Sequence, residues 1–223
     1  MSDERGPNIT AWTFLTTAGL AGGLIGGLFV GMSLGELVNA MIVTAAVTCA
    51  VGSGLGIAQA FALRHRMKRP FLWILATAAG MGIGLAAGVV LVEQTGIALT
   101  GVRPNIARLT PAVRAASFVA IGLAAGIAAG WAQTLVLKRS GMRVSHWLAA
   151  CGSGLAIALS VSSLLIDLIG FRIGSAPGFL LFVLASGLIF GILTAGPLRV
   201  RSFANHQAIE RREEIHLSQR RPD

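Results

Sequence analysis

Long stretches of this sequence contain no charged residue, and residues 11–34 and 71–92 are two examples. A helix needs roughly 20 apolar residues to cross a bilayer core about 30 Å thick, so each stretch is long enough to span a membrane. These stretches are apolar on every side and rich in Gly and Ala, whereas helices of soluble domains carry a charged face. With 54% hydrophobic and 12% charged residues, the chain is predicted to be an all-α integral membrane protein and not a soluble helical domain.

The apolar runs predict six transmembrane helices, flanked by an N-terminal segment, residues 1–10, and a basic tail, residues 199–223. The first run is long enough to span and no small-residue cleavage site follows it, so we expect a signal anchor and not a cleaved signal peptide. The spans of the transmembrane domain 11–198 are predicted at residues 11–34, 37–63, 71–93, 115–137, 147–169 and 179–198.

The distribution of basic residues predicts the orientation of these spans. Most of the 18 Lys and Arg residues lie in the N-terminal segment, in the loops after the second and fourth spans, and in the tail. Basic residues near span ends stay on the cytoplasmic side, so both termini are predicted to be cytoplasmic. The net charge of +9 then reflects topology and not affinity for nucleic acid. Each basic residue beside the bilayer should still attract anionic headgroups by about 1 kcal/mol.

The six spans form three similar hairpins, which we number units one to three: residues 12–64, 73–138 and 147–199. Each unit starts with Trp, and small residues then recur along one face of its first helix. Since every unit contributes two spans, the units are tandem parallel repeats and predict a pseudo-threefold bundle around an axis normal to the membrane. The first-helix faces are Trp12, Thr16, Gly19, Gly23 and Gly27; Trp73, Thr77, Gly80, Gly84 and Gly88; and Trp147, Cys151, Gly154, Ala158 and Ser162.

The second helix of each unit carries a matching face with the spacing G-x3-G-x2-[QT]-x3-L-[RK]. Because the helices of a hairpin are antiparallel, its Gln or Thr lies at the depth of the Thr or Cys of the first helix. These residues define a polar layer near the cytoplasmic side. Spacing does not say whether each helix pairs within its unit or with the next unit. The polar layer comprises Thr16, Gln59, Thr77, Gln133, Cys151 and Thr194.

Two roles are open for the polar layer. Polar side chains inside spans commonly form interhelical hydrogen bonds, which help helices to associate where lipid removes the hydrophobic driving force. If Gln59, Gln133 and Thr194 turn toward the bundle axis, they would instead line a solute path near the cytoplasmic mouth. Unit two differs from the others by 13 extra residues, which we place in its external loop, near residues 94–111.

The unit ends resemble those of a group of uncharacterised bacterial membrane proteins with recurring G-x-x-Q-x-x-x-L-[RK] helix ends followed by a helix that begins with Trp. The matching stretches are residues 56–64 with Trp73 and residues 130–138 with Trp147, and the likeness weakens in the sixth span, where Thr194 replaces Gln. The resemblance implies this fold type and a bacterial cytoplasmic membrane. It implies no activity.

Three acidic residues, Glu36, Glu93 and Asp167, lie near the external ends of helices, and the last two occupy the same position of their units. An ionisable group within a bilayer is a candidate functional site. Twenty residues of helix rise about 30 Å, however, which places these carboxylates at the interface. They are therefore either an external cation or proton site or, as we favour, solvated helix ends.

Trp12, Trp73 and Trp147 are predicted to belong to an aromatic belt at the cytoplasmic boundary, with a binding role as the alternative. None of the four histidines lies within a span, and no spacing typical of a metal site or of a hydrolase triad occurs. We therefore expect no catalytic residues, metal or cofactor. Cys49 and Cys151 lie at different depths, so they are expected to be unpaired packing residues.

The sequence favours a non-catalytic structural or accessory membrane component that contacts a membrane-protein partner through lipid-facing glycines, the unit-two loop or the basic cytoplasmic face. The alternative is a small-solute transporter or channel with a polar path along the axis. A transporter is expected to place charges or helix breaks near mid-membrane, and this sequence has neither. The tail is expected to form either a short surface helix near residues 203–217 or a frayed, solvated segment without regular structure.

Overall fold

The computed structural model describes residues 8–34, 40–64, 69–102, 104–139, 146–172 and 175–196. In this part of the chain, six helices are long and apolar enough to cross a membrane, which makes the chain an all-helical, multi-pass membrane protein. The N-terminal segment, the tail and Glu36 lie outside the described residues. The helices are α1 (Ile9–Leu34), α2 (Ala40–Ala62), α3 (Pro70–Thr100), α4 (Pro111–Arg139), α5 (Trp147–Leu168) and α6 (Ala176–Gly196).

The helix bounds agree with the predicted spans to within a few residues, except at the junction of α3 and α4. The helix α3 continues to Thr100, about two turns past the predicted end at residue 93, so the expectation of a loop from residue 94 is wrong. Gly101 ends the helix with a left-handed φ of 70° and donates its N–H to the Ile97 carbonyl, a conformation that favours glycine. At 31 residues and about 1.5 Å per residue, α3 is far longer than a bilayer core is thick.

The segment after α3 folds back against it. A short 3-10 helix, Ile106–Arg108, lies between α3 and α4. A Cβ at Gly96 would meet the Pro104 ring at 2.6 Å, so the returning chain lies directly on the last turns of α3. The segments 94–102 and 104–110 therefore form a partly helical projection at this end of the bundle, where a loop was expected.

Each helix contacts the next one in chain order, and α6 contacts α1. Contacts are extensive from α1 to α2, α2 to α3, α3 to α4 and α4 to α5. A Cβ at Gly154 would lie 3.4 Å from the Phe190 ring, which joins α5 to α6, and one at Gly187 would lie 2.8 Å from the Thr17 Cα, which joins α6 to α1. The six helices thus close into a ring.

The small faces of the two helices in a unit have different partners. A Cβ at Gly84 would lie 2.5 Å from the Ala125 Cα, so the first helix of unit two packs on the second helix of that unit. A Cβ at Gly56 would lie 3.0 Å from the Ile74 Cα of α3, and one at Gly191 would lie 2.9 Å from the Thr13 Cα of α1. The glycines of the first-helix small faces therefore pack within their unit, and those of the second-helix small faces pack on the following unit. Glycines off these faces differ: Gly54 of α2 packs on Gly19 and Gly23 of its own unit.

The outer surface of the ring is apolar, as lipid contact requires. Large hydrophobic side chains are exposed along every helix, among them Phe14 on α1, Ile83 on α3 and Trp131 on α4. On α1, Gly22 and Gly26 lie on this outer surface with no atom within 4 Å of the Cβ that each lacks. A neighbouring helix from outside the bundle could approach α1 closely at this place.

Candidate functional site: a buried polar layer

Three tryptophans meet inside the bundle, next to the polar layer. Trp12, Trp73 and Trp147 are 1%, 0% and 3% exposed. The ring centroids of Trp12 and Trp147 lie 6.3 Å apart and those of Trp73 and Trp147 lie 5.8 Å apart, within the range of favourable aromatic pairs. The expectation that these residues belong to an aromatic belt is wrong, because a belt residue would be exposed to lipid headgroups.

The helix starts bring these tryptophans together. Each stands at or near the first turn of α1, α3 or α5, and the end of a second helix, such as Leu63 or Leu137, closes the same cluster. Antiparallel hairpins place the starts of first helices and the ends of second helices on one side of the membrane. The tryptophans therefore fill this end of the interior.

Gln133 makes the largest number of side-chain contacts in the polar layer. Its Nε2 donates to the Gln59 Oε1 at 3.1 Å and to the Thr77 Oγ1 at 2.9 Å. Its Oε1 accepts from the Trp147 Nε1 at 3.0 Å and from the Cys151 Sγ at 3.7 Å. A Gln amide offers two donor hydrogens and two acceptor lone pairs, so this side chain, which is 2% exposed, is fully bonded.

A second tryptophan bond joins the last helix to the first. The Trp12 Nε1 donates to the Thr194 Oγ1 at 3.1 Å, and the same hydroxyl donates to the Phe190 carbonyl at 2.8 Å. This bond is the counterpart of the one from Trp147 to Gln133. In both cases the tryptophan of one unit donates to the polar-layer residue on the second helix of the unit that precedes it around the ring.

The remaining part of the polar layer is bonded differently. Gln59 accepts from Gln133, and within the described residues neither the Thr16 Oγ1 nor the Trp73 Nε1 has a hydrogen-bond partner, although both atoms are fully buried. Apart from Cys151, the groups in the layer are amides, hydroxyls and indoles, which are neutral and suited to binding one another. Hydrogen bonds between buried side chains join α2, α3, α4 and α5 in one group and α1 and α6 in another. The ring contact between Trp12 and Trp147 connects the two groups.

Two of the three acidic candidates, Glu93 and Asp167, lie in the described part of the chain, and both are partly buried. Asp167, in the last turn of α5, forms an ion pair with the Arg114 Nη2 in the first turn of α4. The Arg114 side chain is 8% exposed and that of Asp167 is 25% exposed, so Asp167 is not a freely solvated helix end. Glu93 is half-buried. A cation at Asp167 would have to compete with the guanidinium, which disfavours the external cation site.

Both findings, the buried tryptophans and the ion pair, have a signal in the sequence. A belt tryptophan belongs on the lipid-facing side of its helix, yet Trp12 shares a face with Gly19, which packs on α2. Arg114 is the one charged residue in the first four turns of α4, at the helix end where the macrodipole disfavours a cation. Asp167 lies at the opposite, equally unfavourable end of its own helix, so each charge requires the other.

Within the described residues, no three His, Cys, Asp or Glu side chains lie close enough to hold a metal ion. Cys49 and Cys151 are both free, the former half-buried and the latter buried. Comparison with known protein families, curated proteins and solved structures yields no match to this chain.

Proposed function

We propose that this chain is a non-catalytic structural or accessory component of a bacterial cytoplasmic membrane, with both termini in the cytoplasm. In this proposal its three units are tandem parallel hairpins arranged with pseudo-threefold symmetry. The packing supports the arrangement, since second-helix glycines Gly56, Gly130 and Gly191 each lie against the first helix of the following unit, with unit three followed by unit one.

The observation that carries the functional proposal is the mutual hydrogen bonding of the buried polar layer. Gln59, Gln133 and Thr194 are 1%, 2% and 0% exposed, and each bonds to another polar side chain of the interior. Side chains that line a solute path must be accessible to the solute, whereas these are buried next to three tryptophans that pack against one another. The layer therefore supports a packing role, and specific recognition is assigned to the outside of the molecule.

Two outer surfaces support contact with a membrane-protein partner. Gly22 and Gly26 leave open space on the lipid-facing side of α1, where a partner helix can approach the backbone. On the external projection, Leu99 and Val102 are 80% and 68% exposed, beyond the length of helix that a bilayer core needs. Lipid explains exposed apolar side chains within the spans, but it does not explain these two.

The test is partner capture by the full-length chain, cross-linked in the membranes of its source cells before mild-detergent extraction. The wild type is compared with a Gly22→Leu/Gly26→Leu variant and with Ala87→Leu, a matched control on the lipid-facing side of α3. We expect specific proteins to co-purify with the wild type and the control and to be depleted several-fold with the double variant. A lone monomer in all three samples would contradict the accessory role.

A small-solute transporter or channel is the second candidate, and one observation favours it. The hydroxyls of Thr16, Ser162 and Ser186 are buried without a partner in the described part of the chain. Unbonded polar groups are costly in a dry interior, and a polar solute moving along the axis would bond to them. Uptake of candidate solutes by proteoliposomes would support this function, and the chemical accessibility of Cys151, discussed below, tests whether any path reaches the polar layer.

A further inference from the structure

Gln59 and Gln133 occupy equivalent positions in units one and two, and their neighbours are equivalent as well. Gln133 bonds to Thr77 of its own unit and to Trp147 of the following unit. The same rule applied to Gln59 assigns it Thr16 of its own unit and Trp73 of the following unit. These two groups, a hydroxyl of the polar layer and an indole N–H of the adjoining tryptophans, have no hydrogen-bond partner among the described residues.

We propose that Gln59 exchanges between two sets of hydrogen bonds and that the polar layer is a two-state device. In the first state, which the structure shows, the Gln59 Oε1 accepts from the Gln133 Nε2 at 3.1 Å. In the second state, the Gln59 Nε2 donates to the Thr16 Oγ1 and its Oε1 accepts from the Trp73 Nε1. The second state reproduces, in unit one, the bonds that Gln133 already makes in unit two.

Neither state satisfies every polar group, which is why both are accessible. The first leaves the Thr16 hydroxyl and the Trp73 indole N–H unbonded. The second bonds both of these groups but leaves one amide hydrogen of Gln133 without its acceptor, while Gln133 keeps Thr77, Trp147 and Cys151. The exchange requires rotation about the side-chain bonds of Gln59.

The exchange changes which helices the layer connects. In the first state Gln59 ties α2 to α4, past the intervening α3. In the second state it ties α2 to both of its neighbours, α1 and α3, and the direct link from α2 to α4 is lost. The seam between units one and two is therefore the adaptable part of the ring. This inference rests on the repeat arrangement proposed above.

The indole N–H of Trp73 reports the exchange directly. In nanodiscs, side-chain ¹⁵N–¹H spectra resolve the four tryptophans, and each resonance is assigned with a Trp→Phe variant. We expect conformational exchange at Trp73, seen as relaxation dispersion or as two resonances, with none at Trp12 and Trp147. Thr16→Val removes the acceptor of the second state without changing side-chain size, so it should abolish the exchange or shift it strongly toward the unbonded Trp73 resonance.

The matched control is Thr134→Val, because the Thr134 hydroxyl bonds only to the Gly130 carbonyl of its own helix in the described contacts. It should leave the Trp73 exchange unchanged. A single Trp73 resonance in the wild type that Thr16→Val does not alter would overturn the inference, whether its shift is that of a bonded or an unbonded indole. Unchanged Trp12 and Trp147 resonances verify that each variant is folded. Partner capture is measured separately, so the two-state device can fail while the accessory role stands.

Discussion

Gln133 connects more of the molecule than any other side chain of the polar layer. From α4 it bonds to Gln59 on α2, Thr77 on α3, and Trp147 and Cys151 on α5. In lipid these bonds replace part of the driving force that the hydrophobic effect supplies in water. A single amide therefore helps to hold four adjacent helices together.

Gln133→Leu should destabilise the bundle more than Gln59→Leu does. At about 0.6 kcal/mol for each interhelical hydrogen bond, loss of the Gln133 bonds lowers the free energy of unfolding by roughly 2 kcal/mol, and loss of the Gln59 bond lowers it by less than about 1 kcal/mol. Unfolding in mixed detergent micelles with increasing SDS measures both. Thr134→Val is the control, expected within about 0.5 kcal/mol of the wild type. Equal losses for the two Gln variants would contradict this role of Gln133.

The ion pair at the external end predicts a coupled effect. Asp167→Asn leaves the buried guanidinium of Arg114 without its counter-charge, and the unfolding free energy should fall by roughly 2 kcal/mol, less than for fully buried pairs because the carboxylate is partly exposed. Adding Arg114→Leu should recover part of the loss, since the unpaired charge is then gone. If the two losses are simply additive in a double-mutant cycle, the pair contributes no coupling.

At the residue scale, the sequence predicts the depth of a side chain along the bundle better than the direction in which it points. Spacing alone brings Thr77, Gln133 and Cys151 to one level, and the structure places these side chains in contact. Spacing does not show which of these side chains form hydrogen bonds with one another, because an axial shift of one helix changes every pair. The tryptophans were predicted to contact lipid headgroups because they stand at the ends of spans. Trp73 faces the interior instead. Its position on the same helix face as Gly80 indicates this burial.

Helix elements here are placed by close backbone approach. At Gly84 of α3, an added Cβ would lie 2.5 Å from the Ala125 Cα and 2.6 Å from the Ala124 carbonyl oxygen of α4. Because both of these atoms belong to the backbone, neither can move aside without moving the helix. The small faces thus determine how closely α3 and α4 can approach. The sequence predicts that small faces pack on other helices, but it does not predict which helix each face contacts.

Gly84→Ala should destabilise the bundle, whereas Gly26→Ala should have little effect. The first forces α3 away from α4 and should lower the unfolding free energy by about 1–3 kcal/mol, the usual cost of overpacking. The second adds a methyl group where no atom lies within 4 Å and should change stability by less than about 0.5 kcal/mol. Both replace Gly with Ala in a helix, so backbone effects are shared. Similar losses in the same SDS titration would refute the close-packing explanation.

The end of α3 is the helix boundary that the sequence predicts least well. Residues 94–100 are predicted as loop because Glu93 and Gln94 end the apolar run. The end of an apolar run, however, marks where a span leaves the bilayer and not where its helix ends. The helix continues past the length that a bilayer core needs until Gly101, whose positive φ ends it. A glycine at that place was the available signal.

At the scale of the molecule, the six described helices form a closed ring whose interior is filled at the end where the three tryptophans lie. Consecutive helices pack in order, α6 returns to α1 through Gly187 and Gly191, and the polar layer lies beneath the three buried tryptophans. The number of spans could be predicted from hydropathy, and the ring from the similarity of the units. The residues that fill the axis could not be predicted in the same way, because the same polar side chains suit a solute path or a packed core. Only the contacts of these side chains distinguish the two.

Reactivity of the native Cys151 tests the central claim, that the polar layer is packed and not part of a path. Its side chain is 2% exposed and touches Gln133. In a Cys49→Ser variant, a membrane-impermeant methanethiosulfonate reagent is applied from each side of the membrane. We predict no labelling of Cys151 from either side in the folded protein and full labelling after denaturation in SDS. Rapid labelling of the folded protein from the cytoplasmic side would contradict the account and establish an aqueous path to the layer.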